Sequence, residues 1–253
     1  MWSRTMGVAV VGLSAMCAAP ALADPRLDEI VYSPYVENHM LELEARVGQE
    51  IGGGSLSNAR TLVTEVEYGV SDRLSLALVT KVQRAPGESQ RLTGVGLEGI
   101  YYLTQIPTVG VDVGLYGELI KGVGGASDGG EAKLLLAKTD GRFQGLFNFI
   151  VERPFSGPRG EVFASYGYAA SATWRTVGNL RLGAEAFGDF GDDHGFLNHP
   201  QGAYVGPQLK WEGRPRFLPC EIGVDAGWLA AVGADRREAS SQFRLNLELA
   251  RRF

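Results

Sequence analysis

The sequence predicts an all-β protein: a transmembrane, antiparallel, up-and-down β-barrel of about twelve strands. Three observations point there. Segments of roughly ten residues alternate apolar and polar side chains along most of the chain, the pattern of strands that put one face against an apolar medium. Past residue 23 no apolar run reaches the ~18 residues that a membrane-crossing helix needs. Connections also alternate, mostly long after odd-numbered strands and short after even-numbered ones, as expected of a barrel whose two termini share one side. A lipid-exposed chain without spanning helices can satisfy its backbone only by closing a sheet on itself.

The amino terminus reads as a secretory leader over residues 1–23: Arg4 is its positive charge, Met6–Ala19 its apolar stretch, and Ala21-Leu22-Ala23 its small-x-small cleavage site before Asp24. Lipoprotein processing at Cys17 is rejected, because Met16 stands where a small residue is needed. Export followed by a barrel implies a Gram-negative outer membrane, with outer-membrane lipid as the surrounding partner. After cleavage Cys220 is the single cysteine left, so no intrachain disulfide framework exists. The chain has 24 basic and 29 acidic residues, net charge −5, and no basic block; nucleic acid is excluded as a partner. A hydrophobic fraction of 45%, 35 glycines and a mean hydropathy of −0.04 suit strands that are apolar on one face only.

Residues 24–38, with Pro25 and Pro34, read as an irregular periplasmic lead, and residues 39–253 as the barrel. Strand one (His39–Val47) sets Leu41, Leu43, Ala45 and Val47 against Glu42, Glu44 and Arg46. Strand two (Arg60–Val70) sets Leu62, Val66, Tyr68 and Val70 against Glu65 and Glu67. Strand three (Leu74–Gln83) alternates Leu74, Leu76 and Leu78 with Ser75, Ala77 and Lys81. Strand four (Leu92–Leu103) turns Val95, Leu97, Tyr101 and Leu103 one way and Glu98 the other. Strand five (Val109–Lys121) opposes Val111, Val113 and Leu115 to Asp112 and Glu118.

Strand six (Glu131–Thr139) has helical propensity, but it is short for a helix, and Leu134 and Leu136 alternate with Glu131 and Lys133. Strand seven (Phe143–Glu152) sets Phe147, Phe149 and Val151 against Asn148 and Glu152. Strand eight (Val162–Thr176) sets Tyr166, Tyr168 and Trp174 against Ser171, Thr173 and Arg175. Strand nine (Leu180–Asp189) sets Leu182, Ala184 and Ala186 against Arg181 and Glu185. Strand ten (Gly202–Glu212) opposes Val205, Leu209 and Trp211 to Gln208 and Lys210. Strand eleven (Leu218–Leu229) opposes Ile222, Val224 and Trp228 to Glu221 and Asp225. Strand twelve, the last fourteen residues, opposes Phe243, Leu245, Leu247 and Leu249 to Arg244 and Glu248.

Tyr68, Tyr101, Trp174, Trp211 and Phe253 fall on the apolar face near the periplasmic ends of their strands, an aromatic girdle at one interface. Trp228, with Phe149 and Phe243, supplies its counterpart at the other. The inward charges define the candidate lumen lining. They either pair across a narrow lumen and close it, or line a wet pore whose acidic excess favours cations and neutral polar solutes. Paired, packed charges would favour a non-conducting barrel that presents its extracellular loops.

Other motifs carry less. Gly94-Val-Gly-Leu-Glu-Gly99 matches a dinucleotide fingerprint by letter but lies inside an alternating strand with no helix after it. Asp192, Asp193, His194 and His199 share one long loop; solvated loops collect such residues, so no metal is assigned. No histidine has a serine at strand spacing, so no catalytic pair is assigned and no enzyme is expected. No cofactor is expected.

A terminal strand closing on Phe253 resembles the carboxy-terminal signature of bacterial outer-membrane barrels. Glu29-Ile-Val-Tyr-Ser-Pro-Tyr-Val-Glu37, Glu131–Lys138 and Asn148-Phe-Ile-Val-Glu-Arg153 look like small, porin-like proteobacterial outer-membrane proteins. Some of these are grouped with the outer-membrane component of MetA-type phenol degradation. The resemblance implies a barrel handled by the barrel-assembly machinery through its last strand, and uptake of a small solute. The expected function is a narrow channel for passive passage, with the loop-presenting barrel as the alternative. A lipid-modifying enzyme would need a Ser/His pair on the outward rim, which the sequence lacks.

Overall fold

The computed structural model describes residues 26–156, 163–197, 202–216 and 218–253; the leader assigned to residues 1–23, and His199, lie outside them. Among the described residues the chain forms twelve strands: β1 (Met40–Ile51), β2 (Arg60–Gly69), β3 (Leu74–Arg84), β4 (Arg91–Ile106), β5 (Val111–Gly122), β6 (Gly129–Asp140), β7 (Phe143–Pro154), β8 (Ser165–Arg175), β9 (Leu180–Asp192), β10 (Gly202–Gly213), β11 (Glu221–Gly233) and β12 (Ser241–Arg252). Each strand pairs antiparallel with its chain neighbours, and β12 returns to β1, where Met40 faces Arg252 and Ile51 faces Ser241. Closure leaves no unpaired edge, which is what an apolar surrounding demands of a sheet.

The alternation expected from sequence holds along most of every strand. Leu78, Leu97 and Leu119 on the outer wall are 59%, 61% and 63% exposed, which water would penalise at about 25 cal/mol per Å² and lipid would not. β6 is a strand despite its helical propensity, because its neighbours β5 and β7 take up its backbone hydrogen bonds.

Strand ends shift by a few residues throughout, and four differences from the sequence reading go further. A bulge between Tyr102 and Thr104 takes Leu103 out of the simple alternation, and β4 continues to Ile106. β9 runs on to Asp192, past the expected start of a loop at Phe190. β11 starts at Glu221, not at Leu218, so Cys220 precedes the strand.

The fourth difference is the largest. Residues 26–38, expected as a periplasmic lead, carry no regular secondary structure but lie inside the barrel. Val31 packs with Leu146, Ile150, Phe187, Tyr204 and Leu229 of the inner wall. Tyr32 packs with Ile100, Tyr116 and Leu135. A twelve-stranded ring is wider than its own side chains can fill, and the lead supplies the missing volume. At His39 the backbone is left-handed (φ 59°), and there the lead reverses into β1.

Candidate functional site

The lead descends the lumen between inward-facing small residues. A Cβ on Gly48 would overlap the Leu27 carbonyl oxygen, one on Gly69 the Glu37 carbonyl oxygen, and one on Gly114 would stand 2.7 Å from Pro34 Cβ. Glycine in a barrel strand leaves room for a backbone to approach closely, and here the approaching backbone is the lead.

Polar contacts then fix its height. The Tyr32 amide donates to Asn148 Oδ1 at 2.7 Å, and Asn148 Nδ2 donates to the Tyr32 carbonyl at 2.9 Å, so an inward asparagine of β7 replaces the strand partner that the lead lacks. The Tyr32 hydroxyl accepts from Arg46 Nη1 at 2.5 Å, and its ring meets that of Tyr116 at 4.6 Å. Arg244 Nη2 donates to the carbonyls of Arg26 (2.8 Å) and Glu29, while its guanidinium lies 3.7 Å from the centre of the Phe187 ring. Toward the end of the barrel where β1 begins, Tyr35 Oη donates to Asp112 Oδ2 at 2.7 Å.

Charge pairing runs through the lead as well as across the wall. Lys81 bridges Asp28 of the lead and Glu118, each at 3.0 Å. Lys133 bridges Glu29 of the lead and Glu131, and its ammonium sits 4.3 Å and 4.4 Å from the Tyr32 and Tyr116 ring centres. Arg46 joins Glu44 (2.8 Å) to Glu65 (2.9 Å). Lys210 meets Asp225 at 3.0 Å, and Gln208 donates to Glu185 and Asp225. Ion pairs this enclosed stand only when every partner is present.

Among the described residues three cavities flank the lead, the least of them about 20 Å³ beside Leu27, Phe187 and Arg244; two matter for the charges. The larger, about 330 Å³, is walled by Glu42, Glu44, Glu65, Glu67, Glu248 and Lys210 among others. The smaller, about 50 Å³, includes Arg26, Lys81, Glu118 and Glu152.

Most of the inward charges expected from sequence therefore share one lumen. Arg181 is buried against Thr173. Arg175 and Glu221 keep the expected strand parity but are exposed, at the last residue of β8 and the first of β11. In the girdle, Tyr68, Tyr101, Trp174, Trp228 and Phe253 are exposed, Trp228 packs 6.2 Å from Phe243, and Trp211 is half-buried. The long-loop acids shape backbone: Asp192 accepts from the His194 and Gly195 amides, and the Tyr166 hydroxyl and the Ala164 amide hold the Asp193 carboxyl below the usual carboxylate range.

Sequence reading missed Asp28, Glu29 and Tyr32 as lumen residues, and set Asn148 on the inward face without giving it a role. The lead has no period to mark a face, and its partners lie more than a hundred residues away for Asn148 and Lys133. The usable signal was the run of inward glycines and alanines (Gly48, Gly69, Gly114, Ala137, Ala169), too small to fill a wide lumen.

No family model matches the chain, and no curated protein matches it. Solved structures do. The COG4313 outer membrane channel from Pseudomonas putida F1 is similar over 89% of this chain and 100% of its own, at 13% identity and a TM-score of 0.57. The KdgM porin, solved in complex with disordered oligogalacturonate, is similar over 85% of this chain and 99% of its own, at 9% identity and a TM-score of 0.50. At such identities the likeness concerns fold. The closed ring of twelve strands and these two neighbours show that the chain has the fold of a small, porin-like outer-membrane β-barrel.

Proposed function

We propose that this protein is an outer-membrane channel for small solutes whose lumen is held shut by its own residues 26–38. One observation carries the reading: the lumen is filled in large part by a segment that belongs to no strand and lies against small wall residues, rather than by side chains of the wall alone. A barrel serving only to present loops has no need of a wide wall and a separate filler. Pairing of the inward charges would by itself favour such a platform, yet two of the inward lysines, Lys81 and Lys133, have a partner on the lead, Asp28 and Glu29. Closure is therefore conditional on the lead staying in place. The solute class is small and neutral or cationic, matched to the carboxylates around the larger cavity. The similar folds of two outer-membrane channels support the reading; export through a leader over residues 1–23 and engagement of the last strand by the assembly machinery are part of the same proposal.

Planar-bilayer conductance tests it. The whole chain should be closed or flicker at low conductance, and a variant lacking residues 26–38 should give a larger, steady current. Both are first shown to be folded by heat-modifiable migration. A folded deletion variant that stays silent would replace the channel with the loop-presenting barrel.

A further inference from the structure

In the lower lumen a group of oxygens is left over after the lead has been held. Glu65 and Glu67 of β2 and Glu98 of β4 each bring a carboxylate oxygen within 4.8 Å of the others. The register explains the convergence. Ala77 of β3 faces Glu67 on one side and Glu98 on the other, so only a methyl group stands between the two carboxylates.

Two buried atoms there lack a hydrogen bond. Glu98 is 3% exposed; its Oε2 accepts from the Tyr116 and Tyr32 hydroxyls, while its Oε1 has no partner. Ser75, one inward position from Ala77 along β3, is fully buried. Its hydroxyl lies beside the Glu67 carboxylate without a hydrogen bond of good geometry. Buried polar atoms are nearly always satisfied, and two unmet oxygens at the edge of three crowded carboxylates point to a missing positive ligand. Arg46 meets only part of that charge, since it reaches Glu65 alone of the three and is shared with Glu44.

We propose that Glu65, Glu67 and Glu98, with the Ser75 hydroxyl, hold one hard divalent cation of the calcium class. The donors are all oxygen, with no imidazole or thiolate in the group, which is the chemistry that suits calcium rather than zinc or copper. Glu65 and Glu67 also line the cavity of about 330 Å³, which has room for the ion's remaining water ligands. Because Glu98 also receives the Tyr32 hydroxyl, the cation links β2 and β4 to the lead.

Isothermal titration of calcium chloride into the chelator-treated, detergent-folded whole chain tests this, with thermal unfolding alongside. The wild type should show one saturable site and a higher Tm with calcium. Glu98→Gln and Glu67→Gln should each weaken binding at least tenfold, while Glu212→Gln, on the same cavity wall, should stay within twofold. If Glu98→Gln fails to fold, Glu67→Gln carries the comparison. Absence of saturable binding to the folded chain overturns the proposal. So does binding undiminished in both cluster variants, or an equal loss in Glu212→Gln, which would mean diffuse attraction by the acidic wall. The readout is independent of conductance, so it can fail while the channel stands, and the reverse.

Discussion

At the scale of single residues, Lys133 shows how this lumen is held. Its side chain is 2% exposed and carries two carboxylates, Glu29 of the lead and Glu131 beside it on β6. Removing one member of a buried ion group costs about 3–5 kcal/mol because the remaining charges stay enclosed without compensation. Lys133→Met should therefore lower the urea midpoint of the detergent-folded barrel, and adding Glu29→Gln should recover part of the loss. If the double variant falls as far as both single losses added together, the two groups are not coupled. Glu29 itself could not be recognised from sequence as a lumen residue. It follows a proline-bearing stretch with no periodicity, and its partner is 104 positions away.

At the scale of elements, the two faces of each strand obey different rules. Leu247 on β12 is 46% exposed and sits between Ala45 of β1 and Val224 of β11 on the outer wall. A lysine near the bilayer midplane costs roughly 2–4 kcal/mol, so Leu247→Lys should reduce the folding free energy in lipid by that amount, measured by urea titration in liposomes. The short 3-10 turn at Ala234–Arg237 behaves differently, because it lies outside the wall. Burial, with Glu238 and Asp189 nearby, pushes the Asp235 carboxyl up to about 6 from 3.8. A raised carboxyl binds its proton more tightly when folded, so its contribution is present below about pH 4 and is lost as pH rises through about 6. Replacing it with asparagine should flatten stability across that window, and an unchanged pH profile would count against the shift. These strand faces were legible in sequence because a period-two pattern needs only local residues. The bulge at Leu103 was not, since it depends on how β4 meets β5.

At the scale of the whole molecule, the proposed channel leaves the acidic excess and the lead to set what passes. With residues 26–38 removed, the carboxylates of Glu42, Glu67 and Glu248 face an open lumen, and focused negative potential should favour cations. The deletion variant should show a cation-selective reversal potential in a salt gradient, and adding Glu42→Gln with Glu248→Gln should move it toward zero. A selectivity indifferent to those changes would place the constriction elsewhere.

The sequence by itself determined the architecture. Which face of each strand meets lipid, how many strands there are and on which side the termini lie all follow from alternation and connection length, which are local properties. It also placed most inward charges correctly, since parity along a strand fixes the face. Only the tertiary structure decided what those charges do. Whether Lys81 and Lys133 line water or grip Asp28 and Glu29 depends on where an aperiodic segment comes to rest. That place is set by the width of a closed ring and by the empty space above Gly48, Gly69 and Gly114, quantities that exist only once β12 has met β1.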